Sequence, residues 1–302
     1  MRTIADLTGR LQALHAHTEE TPLFNPVFQL ALDLSRLIER GELTLDQCEA
    51  LIAELECDAL KSRAGHLRRL VAPVARGDNA ARVDRLAHGG DFAAFRARWE
   101  HPVLHAVFTA HPTFLLTPAQ SDAVAAAASS EEPIDAAACV APAERPAITL
   151  AFEHAQAMRA ITHAQDARDA IIAGLLTHAR REWPEAWAQF RPLPFRFATW
   201  VGYDMDGRTD IGWAQSIGFR LAEKAERLAH YVAALETIDG SHPLLAELRP
   251  AAAYAAERAE DFGGDLSDPA VLSEAANRLT GDDPHKLLSL KRFIDALEGE
   301  AA

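Results

Sequence analysis

An otherwise helical sequence is interrupted by two short segments, LHAVFT at residues 104–109 and FRFATWV at residues 195–201. The first run is too short for a helix, and the second alternates aromatic and polar residues as a two-faced strand does. Polar loops follow both runs, AHPT at residues 110–113 and GYDMDG at residues 202–207. Proline disfavours the helical conformation for the residue before it, which is His111 here. Both segments are therefore predicted to be strands that end in polar loops.

Most of the remaining sequence has the pattern of amphipathic helices. Asn25 before Pro26 is a typical helix start, and the apolar residues that follow fall largely on one stripe. Thr44 and Gln47 have the spacing of a capping box, which predicts the start of a second helix. Further helices are predicted over residues 80–86, 91–99, 148–179, 213–235, 243–260, 269–279 and 284–297. The predicted fold class is therefore mainly α.

These patterns divide the chain into four predicted parts. Residues 1–98 form an N-terminal helical layer, and residues 99–118 hold the first strand and its histidine loop. Residues 119–147 form an Ala-, Pro- and Ser-rich linker, with Ala-rich helix in part of it as the alternative. Residues 148–302 contain helices and the second strand at 195–201. Strands this far apart, with helices between them, are expected to lie parallel in a sheet whose other strands are missing here.

Charge and composition exclude several functional classes. The chain has 30 Lys+Arg against 44 Asp+Glu and a formal net charge of −14, which disfavours nucleic acid or an anionic membrane surface as the main partner. No stretch approaches the roughly 18 consecutive apolar residues of a membrane span, and no signal peptide is recognisable. Cys48, Cys57 and Cys139 are odd in number and widely spaced, so they are predicted to be reduced thiols. A cytoplasmic protein is expected.

The candidate chemical groups lie in the loops after the strands. A histidine such as His111 is easily poised for proton transfer near neutral pH, and barrel enzymes place such groups at strand ends. A buried histidine bonded to a backbone carbonyl is the alternative. Asp204 and Asp206 could hold a hard cation, accept a proton or cap backbone amides, with a purely structural turn as the alternative. Trp200 directly precedes this turn, and no metal-ligating motif accompanies these residues.

Taken together, VFTAHPT at residues 107–113 and FRFATWVGYDMDG at residues 195–207 resemble phosphoenolpyruvate carboxylase. That family has T-A-H-P-T at a strand end and, later in its chain, R-F-x-S/T-W-x-G-G-D-R-D-G-N-P. The resemblance covers the 302 residues in outline but corresponds only to roughly the N-terminal third of the family's longer chain. The family fold is a (β/α)8 barrel wrapped in extra helices. The resemblance thus implies a helical N-terminal portion that contributes the first strands of a barrel that is incomplete in this chain.

The resemblance also implies an activity, the anaplerotic fixation of bicarbonate on phosphoenolpyruvate to give oxaloacetate and phosphate. His111 falls on the family histidine. The resemblance implies that this histidine helps bicarbonate attack phosphoenolpyruvate and takes part in the proton transfers around the carboxyphosphate intermediate. Trp200 and Asp204 fall on positions that line or shape the substrate pocket. The family reaction needs Mg²⁺ or Mn²⁺, but its acidic ligands lie on later strands, so no residue here inherits the metal role. The family is usually a homotetramer.

Several positions depart from the family pattern. The arginine between the two family aspartates is Met205, which removes a guanidinium that would bind an anionic substrate. The second family glycine is Tyr203, and the asparagine-proline pair is replaced by Arg208 and Thr209. FLLT at residues 114–117 replaces a polar residue and downstream arginines. Arg208 is the nearby residue that could supply the missing guanidinium, so it is included in the candidate substrate pocket.

These observations leave three functional hypotheses open. The first is an N-terminal portion, or a divergent short relative, of a phosphoenolpyruvate carboxylase that is inactive by itself. The second is a non-catalytic helical interaction or regulatory module derived from that family. The third is a binder of small acids that uses His111 and Arg196.

Overall fold

The computed structural model describes residues 3–21, 23–71, 76–109, 116–130, 134, 139, 147–206 and 208–301. Over these residues the protein has eleven α-helices and two β-strands, which confirms the prediction of a mainly α fold. The α-helices are, in chain order, α1 (Ile4–Glu20), α2 (Pro26–Glu39), α3 (Leu45–Val71), α4 (Arg76–Ala87), α5 (Phe92–Trp99), α6 (Pro118–Ser129), α7 (Leu150–Glu182), α8 (Trp213–Ile238), α9 (Leu245–Gly263), α10 (Pro269–Thr280) and α11 (Lys291–Ala301). The strands are β1 (Leu104–Phe108) and β2 (Phe195–Thr199). Within the described residues, no helix has the length and apolar character needed to cross a bilayer.

The chain forms two compact units, each made of two segments. The first unit contains Met1–Asp78 and Leu115–Pro146, and the second contains Asn79–Phe114 and Ala147–Ala302. This division differs from the four predicted parts, because residues from the predicted linker belong to the same unit as the N-terminal helices.

Local capping explains where the helices of the first unit begin. The Asn25 side chain accepts the N–H of Phe28 at 2.9 Å, with Pro26 at the first helical position of α2. Thr44 Oγ1 accepts the N–H of Gln47 at 3.2 Å, and Gln47 Oε1 accepts the N–H of Thr44 at 3.0 Å. These three hydrogen bonds satisfy amide groups that would be left unpaired at the helix starts. The two predicted helix starts are thereby confirmed.

The linker predicted over residues 119–147 is wrong in its first part, because Pro118–Ser129 forms α6. Thr117 and Gln120 form a capping box at its start. The alternative prediction, an Ala-rich helix, is confirmed for this part. The small side chains of α6 pack closely against α3 in an apolar cluster. The buried residues of this cluster are Leu60, Ala64, Val124, Ala127, Ile134 and Cys139. Most of the rest of the predicted linker lies outside the described residues.

The expectation of three reduced thiols is wrong for one pair of cysteines. Cys57 of α3 and Cys139 form a disulfide, with their Cα atoms 4.7 Å apart and a sequence separation of 82. Cys48 is a free thiol. Ile134 and Cys139 pack in one apolar cluster with Leu60 and Ala64 of α3, which sequence spacing does not show. Because disulfides persist mainly in oxidising compartments, the cysteine pattern no longer supports a cytoplasmic location.

In the second unit the two strands pair as expected. β1 and β2 are parallel neighbours, with Leu104 opposite Phe195 and Phe108 opposite Thr199. Helix α7 packs against both strands. The strands are shorter than the predicted runs, since β1 ends one residue and β2 two residues earlier. The prediction that the two segments are parallel strands is therefore confirmed.

Two apolar clusters lie in the second unit. One joins α4, α5 and α7 to the segment before β2, and its buried members are Val83, Ala87, Phe95, Trp99, Leu175, Ala179 and Phe190. The other joins α8, α9 and α11, and its buried members are Leu228, Leu235, Leu244, Leu245, Leu248, Ala251, Ala255 and Phe293. These clusters hold α7 and α8 in place, and these two helices carry residues of the candidate site.

The helix predicted over residues 284–297 is wrong in its first part, because α11 begins at Lys291. Asp283 Oδ1 accepts the N–H of His285 at 2.8 Å, which holds a turn where the helix was expected. Short aspartate side chains compete for backbone amides in this way and favour turns over helix.

Candidate functional site

The two strands end at the same edge of the sheet. Parallel strands run in one direction, so the loops that follow them start side by side. Thr199 Oγ1 donates to the carbonyl of Phe108 at 2.8 Å, which ties the last residues of the strands together. His111 follows β1 in the sequence, but residues 110–115 lie outside the described residues. The site is therefore built from the loop after β2 and the helices around it.

The loop after β2 begins with a tight turn. The carbonyl of Trp200 accepts the N–H groups of Tyr203 at 2.9 Å and of Asp204 at 3.3 Å. Gly202 has a φ of 87°, a conformation that glycine adopts without steric cost. Ser216 of α8 donates its hydroxyl to the carbonyl of Gly202 at 2.7 Å. The start of α8 thus holds the turn in place.

A half-buried carboxylate lies beneath this turn. Glu223 Oε1 of α8 is 3.1 Å from His154 Nε2 of α7 and accepts the hydroxyl hydrogen of Tyr203 at 2.6 Å. The His154 imidazole stacks on the Phe219 ring, with centroids 4.0 Å apart and planes inclined by 14°. Arg220 lies at the outer side, with its Nη1 3.4 Å from Glu223 Oε2. Sequence reasoning missed this cluster.

The electrostatic environment fixes the protonation of two of these groups. Burial, together with the hydrogen bond to the Glu223 carboxylate, raises the pKa of Tyr203 far above its usual range. Burial alone would raise the pKa of Glu223, but the hydrogen bonds from His154 and Tyr203 lower it below its ordinary value of 4.5. Glu223 is therefore ionised near neutral pH, and Tyr203 acts as a hydrogen-bond donor rather than a base.

Replacing Tyr203 with phenylalanine tests this cluster. The change removes one donor to a half-buried carboxylate, and such charge-assisted bonds contribute about 1.5–3 kcal/mol. We expect the free energy of unfolding to fall by about that amount in urea denaturation followed by tryptophan fluorescence. Tyr231→Phe is the matched control, because this tyrosine is 38% exposed on the same helix α8 that carries Glu223. Equal losses in the two variants would contradict the assigned bond.

The predicted substrate-pocket residues near the turn are partly accessible. Trp200 is 37% exposed, and Asp204 is half-buried. Asp204 Oδ1 accepts the N–H of Asp206 at 3.2 Å, so one oxygen of this carboxylate stabilises the loop. Met205, in place of the family arginine, is 58% exposed. Trp200 and Asp204 thus lie in one loop at the strand edge, and the carboxylate pair has the backbone-capping contact of a structural turn.

Arg208 has carboxylate partners on both sides. Its Nη1 donates to Glu153 Oε2 at 2.8 Å, and its Nε and Nη2 donate to the two oxygens of Asp210 at 2.9 and 2.6 Å. These hydrogen bonds, first from Asp210 and then from Glu153, raise the pKa of Arg208 above its already high value. An anionic substrate would have to compete with two carboxylates for this guanidinium. The geometry therefore does not favour Arg208 as the replacement for the missing family arginine.

A small pocket of about 260 Å³ opens between β2, α7 and α8. Its walls include Phe197–Thr199 of β2 and the side chains of Arg220, Glu223 and Arg227 of α8. Gln165 Oε1, also in the wall, is buried without a hydrogen-bond partner among the described residues. Pockets for drug-sized ligands are usually about 300–1,000 Å³, so this one suits only a small polar molecule.

Metal ligands do not converge at the strand edge in the described part of the chain. The group of histidine and acidic ligand atoms close enough to share an ion consists of Asp84, His88 and His178, which lie on or beside α4 and α7. At the edge itself, the carboxylate of Asp204 contacts the amide of Asp206, and Asp210 is paired with Arg208. The described residues of the edge therefore do not fit a divalent cation.

A scan against protein-family models found no match for this chain, and searches of the curated proteins and of the solved structures found none either.

Proposed function

We propose that this chain carries the first two strand ends of a phosphoenolpyruvate carboxylase-type site, as an N-terminal portion or a divergent short relative of that family. The observation that carries the proposal is the parallel pairing of β1 and β2, with Phe108 opposite Thr199. This register ends both strands at one edge, as two strands of a (β/α)8 barrel would. The segments that follow them in the sequence contain His111 and Asp204. The remaining six strands would come from sequence outside this chain.

In the proposed site, each residue has a limited role. His111 would lie near the carboxyl group that is transferred and would accept or donate its proton. Trp200 and Asp204 would line the pocket, with the turn held by Ser216 keeping both in place. The described residues of this edge do not fit the implied Mg²⁺ or Mn²⁺. We propose that the chain by itself binds substrate without turning it over.

Two observations favour the second hypothesis, a non-catalytic helical interaction or regulatory module. Met205 is exposed at the tip of the loop where the family pattern has a guanidinium, and Arg208 is engaged by two carboxylates. Both weaken the binding of a small anion at this edge. A module that only kept the scaffold would bind no phosphoenolpyruvate, so the two hypotheses differ in a measurable property.

Calorimetric titration of the chain with phosphoenolpyruvate tests the proposal. We expect binding that weakens at least tenfold in His111→Ala and tightens about tenfold in Met205→Arg. The added guanidinium supplies a charge-assisted bond of about 1.5–3 kcal/mol, and the exposed position accepts it without repacking. Formation of oxaloacetate, followed by its reduction to malate, should not exceed the blank.

The outcomes separate the hypotheses. Leu288→Arg is the matched control, because Leu288 is 84% exposed and the change adds the same charge elsewhere in the second unit. No binding by either the native chain or Met205→Arg would overturn the proposal and support the non-catalytic module. If Met205→Arg and Leu288→Arg tighten phosphoenolpyruvate binding equally, the tightening comes from the added net charge and not from a contact in the loop. Equal binding of malate and aspartate would support the third hypothesis, a small-acid binder.

A further inference from the structure

A second cluster of ionisable side chains lies apart from the strand edge. Asp84 is on α4, His88 follows one turn later, and His178 is near the end of α7. One ligand atom of each lies within 4.8 Å of the other two. Residues four apart face the same side of a helix, so Asp84 and His88 form one half of the cluster. His178, which is only 3% exposed, forms the other half.

The contacts of His178 show which way its lone pair points. Its Nδ1 is 3.0 Å from Arg181 Nη2 and 3.3 Å from Asp84 Oδ1. A guanidinium has only N–H donors, so the shorter contact requires Nδ1 to accept. A hydrogen on Nδ1 that pointed to Asp84 would instead lie beside the donors of Arg181. Nδ1 therefore carries a lone pair, which points into the cluster.

The separation of these two acceptors suits a metal ion. Bonds of about 2.0–2.1 Å in tetrahedral geometry place two zinc ligands about 3.3 Å apart. His178 Nδ1 and Asp84 Oδ1 are already 3.3 Å apart. Arg181 Nη2 lies 2.9 Å from that same Asp84 oxygen, so a guanidinium nitrogen bridges both ligands. The positive group occupies the position that a metal cation would take.

His88 has the orientation of a metal-binding histidine. Its Nδ1 is 2.6 Å from the backbone carbonyl of Asp84, and a carbonyl oxygen only accepts, so Nδ1 carries the hydrogen. The lone pair is then on Nε2. Histidines that bind metals commonly donate their other ring N–H to a backbone carbonyl in this way, which fixes their tautomer. His88 is exposed, so its ring can turn toward an ion without disturbing the core.

Aromatic side chains hold the buried half of the cluster. The His178 ring stacks on Phe95 with centroids 5.6 Å apart, and Trp183 meets it edge-on at 6.0 Å. Two imidazole nitrogens and one carboxylate suit zinc and its first-row neighbours better than Mg²⁺ or Ca²⁺, which prefer all-oxygen sites.

We propose that Asp84, His88 and His178 form a binding site for Zn²⁺ or a similar first-row transition ion, with Arg181 in the cation position when no metal is bound. Arg181 is able to leave, because its side chain is 51% exposed and its Nε already bonds Glu182 at 2.9 Å. Three protein ligands leave the fourth position open to water or another small ligand. This site is independent of the function proposed for the strand edge.

Calorimetric titration of the chelator-treated full chain with ZnCl₂ tests the site. The Cys48→Ser background is used, so that the free thiol does not bind zinc. We expect one ion per chain, with the affinity at least tenfold lower in His88→Ala, which removes the exposed one of the two histidine ligands. His230→Ala is the control, since this histidine is also exposed and lies on α8. Equal affinity in His88→Ala and the unsubstituted background would overturn the proposal.

Replacing Arg181 is expected to change the zinc affinity in the opposite direction from replacing His88. Arg181→Gln removes the competing positive charge, so we expect zinc to bind about tenfold more tightly. Arg249→Gln is the control, because Arg249 is similarly exposed and pairs with Glu236 at 2.7 Å elsewhere in the second unit. Co²⁺ bound at the site should show the visible absorption of four-coordinate cobalt with nitrogen ligands. Weaker zinc binding by Arg181→Gln would contradict the displacement of the guanidinium.

Discussion

Alanine at Gly202 is expected to destabilise the second unit by about 3 kcal/mol. Two costs add at this residue. Its φ of 87° lies in the left-handed region, where a side chain costs about 1–2 kcal/mol. An added Cβ would also lie 2.6 Å from Cε2 of Phe219 and closer still to Cδ2, and overpacking of this kind costs about 1–3 kcal/mol. The Phe219 ring cannot move away freely, because it stacks on His154.

Urea denaturation followed by tryptophan fluorescence measures this loss. The five tryptophans at positions 99, 183, 187, 200 and 213 all belong to the second unit, so their signal reports its unfolding. Gly89→Ala is the control, since Gly89 has a φ of 102° but no atom within 4 Å of an added Cβ. It should cost only the backbone term of about 1–2 kcal/mol.

A double variant separates the steric cost from the backbone cost. If the Phe219 ring is the obstacle, Gly202→Ala combined with Phe219→Ala should cost at least about 1 kcal/mol less than the sum of the single variants. Additive losses, or equal losses at Gly202 and Gly89, would contradict the assigned clash.

Loss of the Cys57–Cys139 disulfide is expected to destabilise the first unit by about 4 kcal/mol. The bond closes a loop across a sequence separation of 82 residues, and the loss of chain entropy in the unfolded state grows with the length of such a loop. The Cys57→Ala variant should therefore unfold at lower urea concentration when helix content is followed by circular dichroism. The first unit has no tryptophan, so the fluorescence transition of the second unit serves as an internal reference.

Two comparisons complete this test. Cys48→Ser should leave both transitions unchanged, because this cysteine is a free thiol. Added reductant should shift the circular dichroism transition of the native chain toward that of Cys57→Ala and have no effect on the variant. An identical transition for the native chain and Cys57→Ala would rule out a stabilising disulfide.

Sequence reasoning succeeded where the deciding contacts are local. The caps at Asn25 and Thr44 involve hydrogen bonds to residues only three positions away, so their side-chain types reveal them. The two strand segments were recognisable from short apolar and alternating runs followed by polar turns. Their parallel pairing followed from the long helical connection between them, because a tight hairpin was impossible.

The same reasoning failed where distant residues meet. The linker predicted over 119–147 is partly helix α6, because packing of its small side chains against α3 outweighs a composition typical of linkers. In the candidate site, Glu223 was not singled out, since its partners His154 and Tyr203 lie 69 and 20 residues away. The i, i+4 spacing of Asp84 and His88 was a usable signal for the second cluster, but nothing local points to His178.

By itself, the sequence determined the helical class, the helix starts and the two strand ends with their polar loops, because short-range backbone geometry and capping decide these features. Tertiary structure decided which side chains meet. It joined Cys57 to Cys139, paired Arg208 with Glu153 and Asp210, and placed the Arg181 guanidinium between an acid and a histidine. Such contacts depend on how helices pack, and many packings are compatible with one apolar pattern. The partners of each charge therefore became known only in the folded chain.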